Sequence, residues 1–162
     1  MKKRCVLFLC TGNSCRSQMA EGWARALHPE QIDAFSAGIA PAGIDVRAVQ
    51  VMAEAGIDIS RQQSKHVETL RGMTFDAVIT VCGHANESCP VFPGRVQRLH
   101  AGFEDPPRLS LGADSEEEAL RHYRKVRDEI RRYVQALPEI LEESSGPGEG
   151  NASCSESIDE RN

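Results

Sequence analysis

Val6-Leu7-Phe8-Leu9 is an uninterrupted apolar run, and the chain turns polar directly after it, reading Cys10-Thr11-Gly12-Asn13-Ser14-Cys15-Arg16. A short apolar run that ends in turn chemistry is the signature of a strand buried on both faces. Met19, Trp23 and Leu27 then recur at helical spacing on one side of a helix that opens near Ser17. A loop joining such a strand to such a helix turns its backbone N–H groups toward a common point at the positive end of the helix dipole. That concavity suits a tetrahedral oxyanion: phosphate, arsenate or sulfate. The same donors favour a thiolate at Cys10, which makes it the candidate nucleophile. Arg16, fork-shaped and always charged, can grip two oxygens of the anion and stabilise charge that builds during substitution. Thr11, Gly12, Asn13, Ser14 and Cys15 line the candidate binding loop with their backbone, and Asn13 and Ser17 are expected to brace it by hydrogen bonds.

The rest of the chain repeats the strand–helix theme. Ile32 to Ala37 alternates as a short strand ended by Gly38, and Val46 to Ala55 carries a helical pattern closed by Gly56. A helical turn is expected near Val67–Leu70, and Phe75 to Val81 is the clearest strand after the first. Gly83 to Gly94 is rich in glycine and proline and reads as loop; Arg95 to Phe103 is a fourth strand leading into Glu104-Asp105-Pro106-Pro107. Ser115 with Glu118 forms a capping box, and the stripe Leu120, Tyr123, Val126, Ile130, Val134, Leu137 predicts one long helix reaching Pro138. Strands alternating with helices imply right-handed crossovers and a parallel sheet, so the expected fold is a single α/β domain over residues 1–143. From Ser144 onward the chain is Ser, Gly and acid with Ile158 as its only large aliphatic residue, and 144–162 is expected to be a disordered tail.

Composition excludes several classes. The 162 residues, 40% hydrophobic and 27% charged, suffice for one core. Of the net charge of −5, the tail holds Glu149, Glu156, Asp159 and Glu160 against Arg161, leaving a nearly neutral body without the basic stripe that nucleic acid requires. The apolar stretch after Lys2-Lys3-Arg4 is too short for a signal peptide or a membrane span, so a cytoplasmic location is expected, and separately a monomer. Cysteines stand at 5, 10, 15, 82, 89 and 154, with no Cys-x2-Cys pair to suggest zinc, and no cofactor or metal is called for. In parallel sheets ligands sit beyond the carboxyl ends of the strands. Cys10, Cys82 and Asp105 all follow such ends, which makes Cys82 and Asp105 further candidates for the site.

The segment Cys10 to Gly22, joined to Ser36-Ala37-Gly38, Thr80-Val81-Cys82, Cys89-Pro90 and Phe103-Glu104-Asp105-Pro106, resembles the thioredoxin-coupled arsenate reductases, which share their fold with low-molecular-weight tyrosine phosphatases. The resemblance spans about residues 4–143 and implies four parallel strands with helices on both faces. It also implies roles. Cys10 attacks arsenate while Arg16 and the loop amides hold its oxygens, and Asp105 protonates the departing oxygen. Cys82 then attacks the Cys10 sulfur and releases arsenite, Cys89 takes over the disulfide by attacking Cys82, and thioredoxin or glutaredoxin reduces the result. In some members, positions matching Glu21 and Ser36 help bind a monovalent cation beside Asn13, with an acidic residue near the place of Lys65. Lys65 breaks that pattern and is expected to supply the positive charge itself.

Two other readings stay open at this point. A tyrosine phosphatase of the same fold has no use for Cys82 and Cys89, and it normally carries an aromatic residue after its acid, where Pro106-Pro107 stands here. A thiol sensor for arsenite or soft metals would use Cys10, Cys15, Cys82 and Cys89, but a cation site gains nothing from a guanidinium at its centre. The dull alternatives are plain: Cys82 and Cys89 as small core residues and Asp105 as a turn starter. Cys5 reads as core, Cys15 as a packed thiol, Cys154 as tail, and His84 as a solvated loop residue.

Overall fold

A computed structural model of the chain describes residues 3–83 and 89–145. Strands β1 (Arg4–Cys10), β2 (Ile32–Gly38), β3 (Ala77–Thr80) and β4 (Gln97–His100) form one parallel sheet in the order β2-β1-β3-β4. Every residue of β1 from Cys5 to Cys10 is buried. Because successive side chains on a strand point to opposite faces, both faces of the sheet centre are covered. The helices doing so begin with α1 (Arg16–Leu27), which lies against β1 and β2, and α2 (Val46–Glu54). A 3-10 turn occupies Val67–Leu70, followed by the short α3 (Pro106–Ser110), the long α4 (Glu116–Gln135) and α5 (Leu137–Ser145). Helix α4 packs on α1 and α2, with Trp23 donating its indole N–H to the Arg127 carbonyl at 3.2 Å.

The order β2-β1-β3 places β1 in the middle, so the chain reverses winding direction at β1, and the loop after it sits at the crevice where such sheets bind ligands. Local chemistry sets the helix ends. Asp45 caps α2 by accepting from the Arg47 N–H at 2.9 Å, and Ser115 caps α4 by accepting from Glu118 N–H at 3.1 Å. The Glu118 carboxylate reaches back one residue further than in a capping box, to the Asp114 N–H at 2.7 Å.

Four elements differ from the sequence expectation. The expected single C-terminal helix is broken at Ala136, because Pro138 has no N–H to continue α4 and instead sits in the first turn of α5. Asp105-Pro106-Pro107 starts helix α3 rather than a plain turn, again with proline at the first positions. Strand β4 covers Gln97–His100 and not 95–103; as the edge strand it pairs with β3 alone, and β3 itself ends at Thr80. The expected domain boundary at 143 falls in the last turn of α5. The rest of the expected tail, with Cys154, and His84 in the loop after Cys82, lie outside the described residues.

Candidate active site

The loop between β1 and α1 is shaped by where its carbonyls go. The Cys10 carbonyl accepts from Ile39 N–H at 3.2 Å, Thr11 from Ala40 at 2.8 Å, and Gly12 from Ala42 at 2.9 Å. The Asn13 carbonyl takes the Gln18 amide at 3.0 Å, and Ser14 takes the Asp45 N–H at 2.9 Å. Five successive carbonyls are thus drawn outward. Across each trans peptide the next N–H points the opposite way, so the amides of residues 11–15 turn toward the loop centre and build an anion-binding nest. Helix α1 follows at once, and no side chain caps it, which leaves its first-turn amides to the same centre.

One residue carries the backbone strain. Asn13 has φ 46°, in the left-handed region that asparagine tolerates better than most. It is fully buried, and its side chain bridges two partners: Oδ1 accepts from the Lys65 backbone N–H at 2.9 Å, while Nδ2 donates to Ser17 Oγ at 2.8 Å. Lys65 N–H can only donate, which fixes the amide orientation. Ser17 Oγ in turn lies 2.8 Å from Cys10 Sγ. When Cys10 is a thiolate only the serine can donate, so the chain Asn13→Ser17→Cys10 delivers a hydrogen bond to the sulfur.

Gly38 makes the loop possible from beneath. A Cβ there would stand 2.7 Å from the Thr11 carbonyl oxygen and 2.8 Å from the Asn13 nitrogen, both backbone atoms of the loop. Gly38→Ala is expected to destabilise the fold by about 1–3 kcal/mol and, by displacing the nest, to lower turnover about 10²-fold. Urea unfolding and hydrolysis of p-nitrophenyl phosphate measure the two effects.

Arg16 begins α1 and its side chain is only 12% exposed. One nitrogen donates to the Phe103 carbonyl at 2.9 Å, and another faces the Asp105 carboxylate at 3.5 Å. Asp105 occupies the N-cap position of α3 without capping it, so its carboxyl group is left for the site. Cys82, two residues past the end of β3 and buried, has its Sγ 3.2 Å from the hydroxyl of Thr11, which is next to Cys10 in the chain. The structure therefore brings Cys10, Arg16, Ser17, Cys82 and Asp105 to one edge of the sheet. Cys89 stands apart on the flank of β4, where the Arg98 guanidinium donates to its sulfur at 3.2 Å.

Cys15 is buried beneath the loop. Burial, then the neighbouring Asp45 carboxylate, pushes its thiol well above the ordinary range, so it contributes an amide rather than a second nucleophile. Asp45 is itself held by the Tyr123 hydroxyl, which donates to Oδ2 at 2.6 Å. Below the loop, buried Glu21 accepts from Ser36 Oγ at 2.6 Å and pairs with Arg25 at 2.8 Å. Lys65 Nζ donates to the Gln63 carbonyl at 3.0 Å; burial lowers its pKa while the Glu21 charge opposes that shift. Sequence reasoning missed the outward carbonyl ties, the Phe103 anchor for Arg16, the Thr11–Cys82 contact and Arg98. Among the described residues no group of three or more His, Cys, Asp or Glu is arranged to hold a metal. No helix among them is long and apolar enough to cross a membrane.

Residues 5–145 match the family model of low molecular weight phosphotyrosine protein phosphatase. The chain belongs to that family. Among its members the chain is 45% identical to an arsenate reductase of Halalkalibacterium halodurans, over 86% of this chain and 98% of that protein. It is 43% identical to an arsenate reductase of Bacillus subtilis over 86% of this chain and 98% of the relative. The fold superposes on the solved structure of an arsenate reductase in the oxidised state with a TM-score of 0.71 at 31% identity, covering 85% of this chain and 98% of the other. A thioredoxin-dependent arsenate reductase of Corynebacterium glutamicum matches with a TM-score of 0.62 at 25% identity, covering 89% of this chain and 64% of that one. The four-stranded parallel sheet and phosphatase-like loop expected from the sequence are those of the family.

Proposed function

We propose that this chain reduces arsenate to arsenite through a relay of three thiols. The Cys10 thiolate attacks arsenic in the nest, Arg16 and the loop amides hold the anionic oxygens, and Asp105 gives its proton to the departing oxygen, which leaves as water. The product is a Cys10 sulfur–arsenic(V) adduct. Cys82 Sγ then attacks Cys10 Sγ; the sulfur–arsenic bond breaks, its electron pair stays on arsenic, and arsenite departs from a Cys10–Cys82 disulfide. Cys89 attacks Cys82, Cys10 leaves as thiolate, and the Cys82–Cys89 disulfide is reduced by the two thiols of thioredoxin.

The observation that carries this reading is Cys82: a second buried thiol tied by Thr11 to the lip of the oxyanion loop. A phosphatase needs a nucleophile, a guanidinium and an acid, and a thiol in that position exposes its nucleophile to oxidation without serving hydrolysis. The arsenate reductases among its relatives support the same choice. Slow hydrolysis of aryl phosphates is expected alongside, because the pocket recognises any tetrahedral oxyanion. The test is arsenate-dependent oxidation of thioredoxin, followed through NADPH and thioredoxin reductase, with glutaredoxin as the parallel electron source. Robust turnover with thioredoxin supports the proposal; phosphatase activity with no arsenite formed overturns it in favour of the hydrolytic reading.

Lys65 bears on ion dependence. With Arg25 and Lys65 already opposing the Glu21 charge, we infer that potassium adds nothing. Replacing sodium by potassium at equal ionic strength should leave melting temperature and turnover unchanged, and a marked rise in either contradicts the inference.

A further inference from the structure

Arg98 lies on the edge strand β4, opposite Val78 in register, and the catalytic steps above make no use of it. Its guanidinium is bidentate toward one short stretch of chain: Nη1 donates to Cys89 Sγ at 3.2 Å and Nη2 to the Pro90 carbonyl at 3.2 Å. The second bond fixes the plane of the guanidinium, and the first then aims an N–H at the sulfur. A cation held against a thiol favours its thiolate, the form that attacks a disulfide. We infer that Arg98 is a positioning residue for Cys89, holding the resolving sulfur against its guanidinium beside β4 so that it captures Cys82 once the Cys10–Cys82 disulfide has formed. In that step the Cys89–Cys82 bond forms, the Cys82–Cys10 bond breaks, and Cys10 departs as thiolate; no electron enters or leaves the protein.

The inference rests on the thiol relay, but part of its test does not. Arg98→Gln keeps a hydrogen-bonding side chain and removes the charge. In a single turnover without reductant, this variant should release arsenite as fast as wild type, because that half of the cycle uses Cys10 and Cys82. Movement of the disulfide from Cys10–Cys82 to Cys82–Cys89, followed by acid quench and peptide mass mapping, should slow about tenfold, and steady-state turnover with thioredoxin should fall with it. Arg98→Lys, which returns the charge, should recover most of the rate. Added salt should slow the transfer in wild type and leave Arg98→Gln little changed, since the pair is exposed to solvent. Independently of arsenate, alkylation of Cys89 by iodoacetamide at neutral pH should be several times slower in Arg98→Gln and recover in Arg98→Lys. Wild-type transfer and alkylation rates in Arg98→Gln, or losses that Arg98→Lys does not relieve, overturn the assignment. A wild-type protein that forms no arsenite overturns the relay instead, and the alkylation rates then judge Arg98 by themselves.

Discussion

Cys10→Ser is expected to abolish arsenate reduction and phosphate ester hydrolysis together, by about 10⁴-fold or more, while the protein stays folded. The site offers a serine no route to activation. Among the described residues the hydrogen bond at the Cys10 side chain comes from Ser17, whose oxygen is already held by Asn13, and that chain stabilises an anion rather than removing a proton. Sulfur is intrinsically the better nucleophile, whereas a serine hydroxyl needs an adjacent base to become one. The substitution also shortens a buried contact without adding bulk, so far-UV circular dichroism and the urea midpoint should change little. Residual activity within tenfold of wild type would mean that the nucleophile lies elsewhere.

Cys82→Ser should divide the two chemistries. Release of arsenite requires a sulfur to attack Cys10 Sγ, so reduction should fall at least about 10³-fold. Hydrolysis of p-nitrophenyl phosphate uses only Cys10, Arg16 and Asp105 and should remain within about threefold, since a hydroxyl at position 82 can keep the bond to Thr11. The pair of rates therefore separates a phosphatase that happens to carry a cysteine at the lip of its loop from an enzyme that uses it to move electrons. Equal losses in both assays would show that Cys82 supports the loop rather than the relay.

The site's core was legible because its information is local. The strand Val6–Leu9, the heptapeptide from Cys10 to Arg16 and the helix after it are contiguous, and their hydrophobic periods and turn residues dictate a nest at a helix start. Cys82 and Asp105 could be assigned to the same edge because parallel topology puts strand ends together. What the sequence withheld is long-range pairing. Nothing in the residue types indicates that the Lys65 amide would orient Asn13, that the Phe103 carbonyl would hold Arg16, or that Arg98 would reach Cys89. Two helix starts are hard to see because proline reads first as a breaker: Pro138 ends the long helical stripe and sits in the first turn of α5, and Pro106 opens α3 where the residue types suggest only loop. Strand β4 was overestimated because an edge strand with exposed Arg98 and His100 is held by a single neighbour, and hydrophobic pattern alone does not mark where that pairing ends.

The most direct measurement traps the relay halfway. Full-length Cys89→Ser protein, fully reduced, is given one equivalent of arsenate without reductant, then quenched in acid and mapped by peptide mass spectrometry. The account predicts one arsenite per chain and a disulfide joining Cys10 to Cys82, with no further arsenite when a second equivalent of arsenate is added. Arsenite released while both thiols remain reduced, or a disulfide that does not include Cys10, contradicts it.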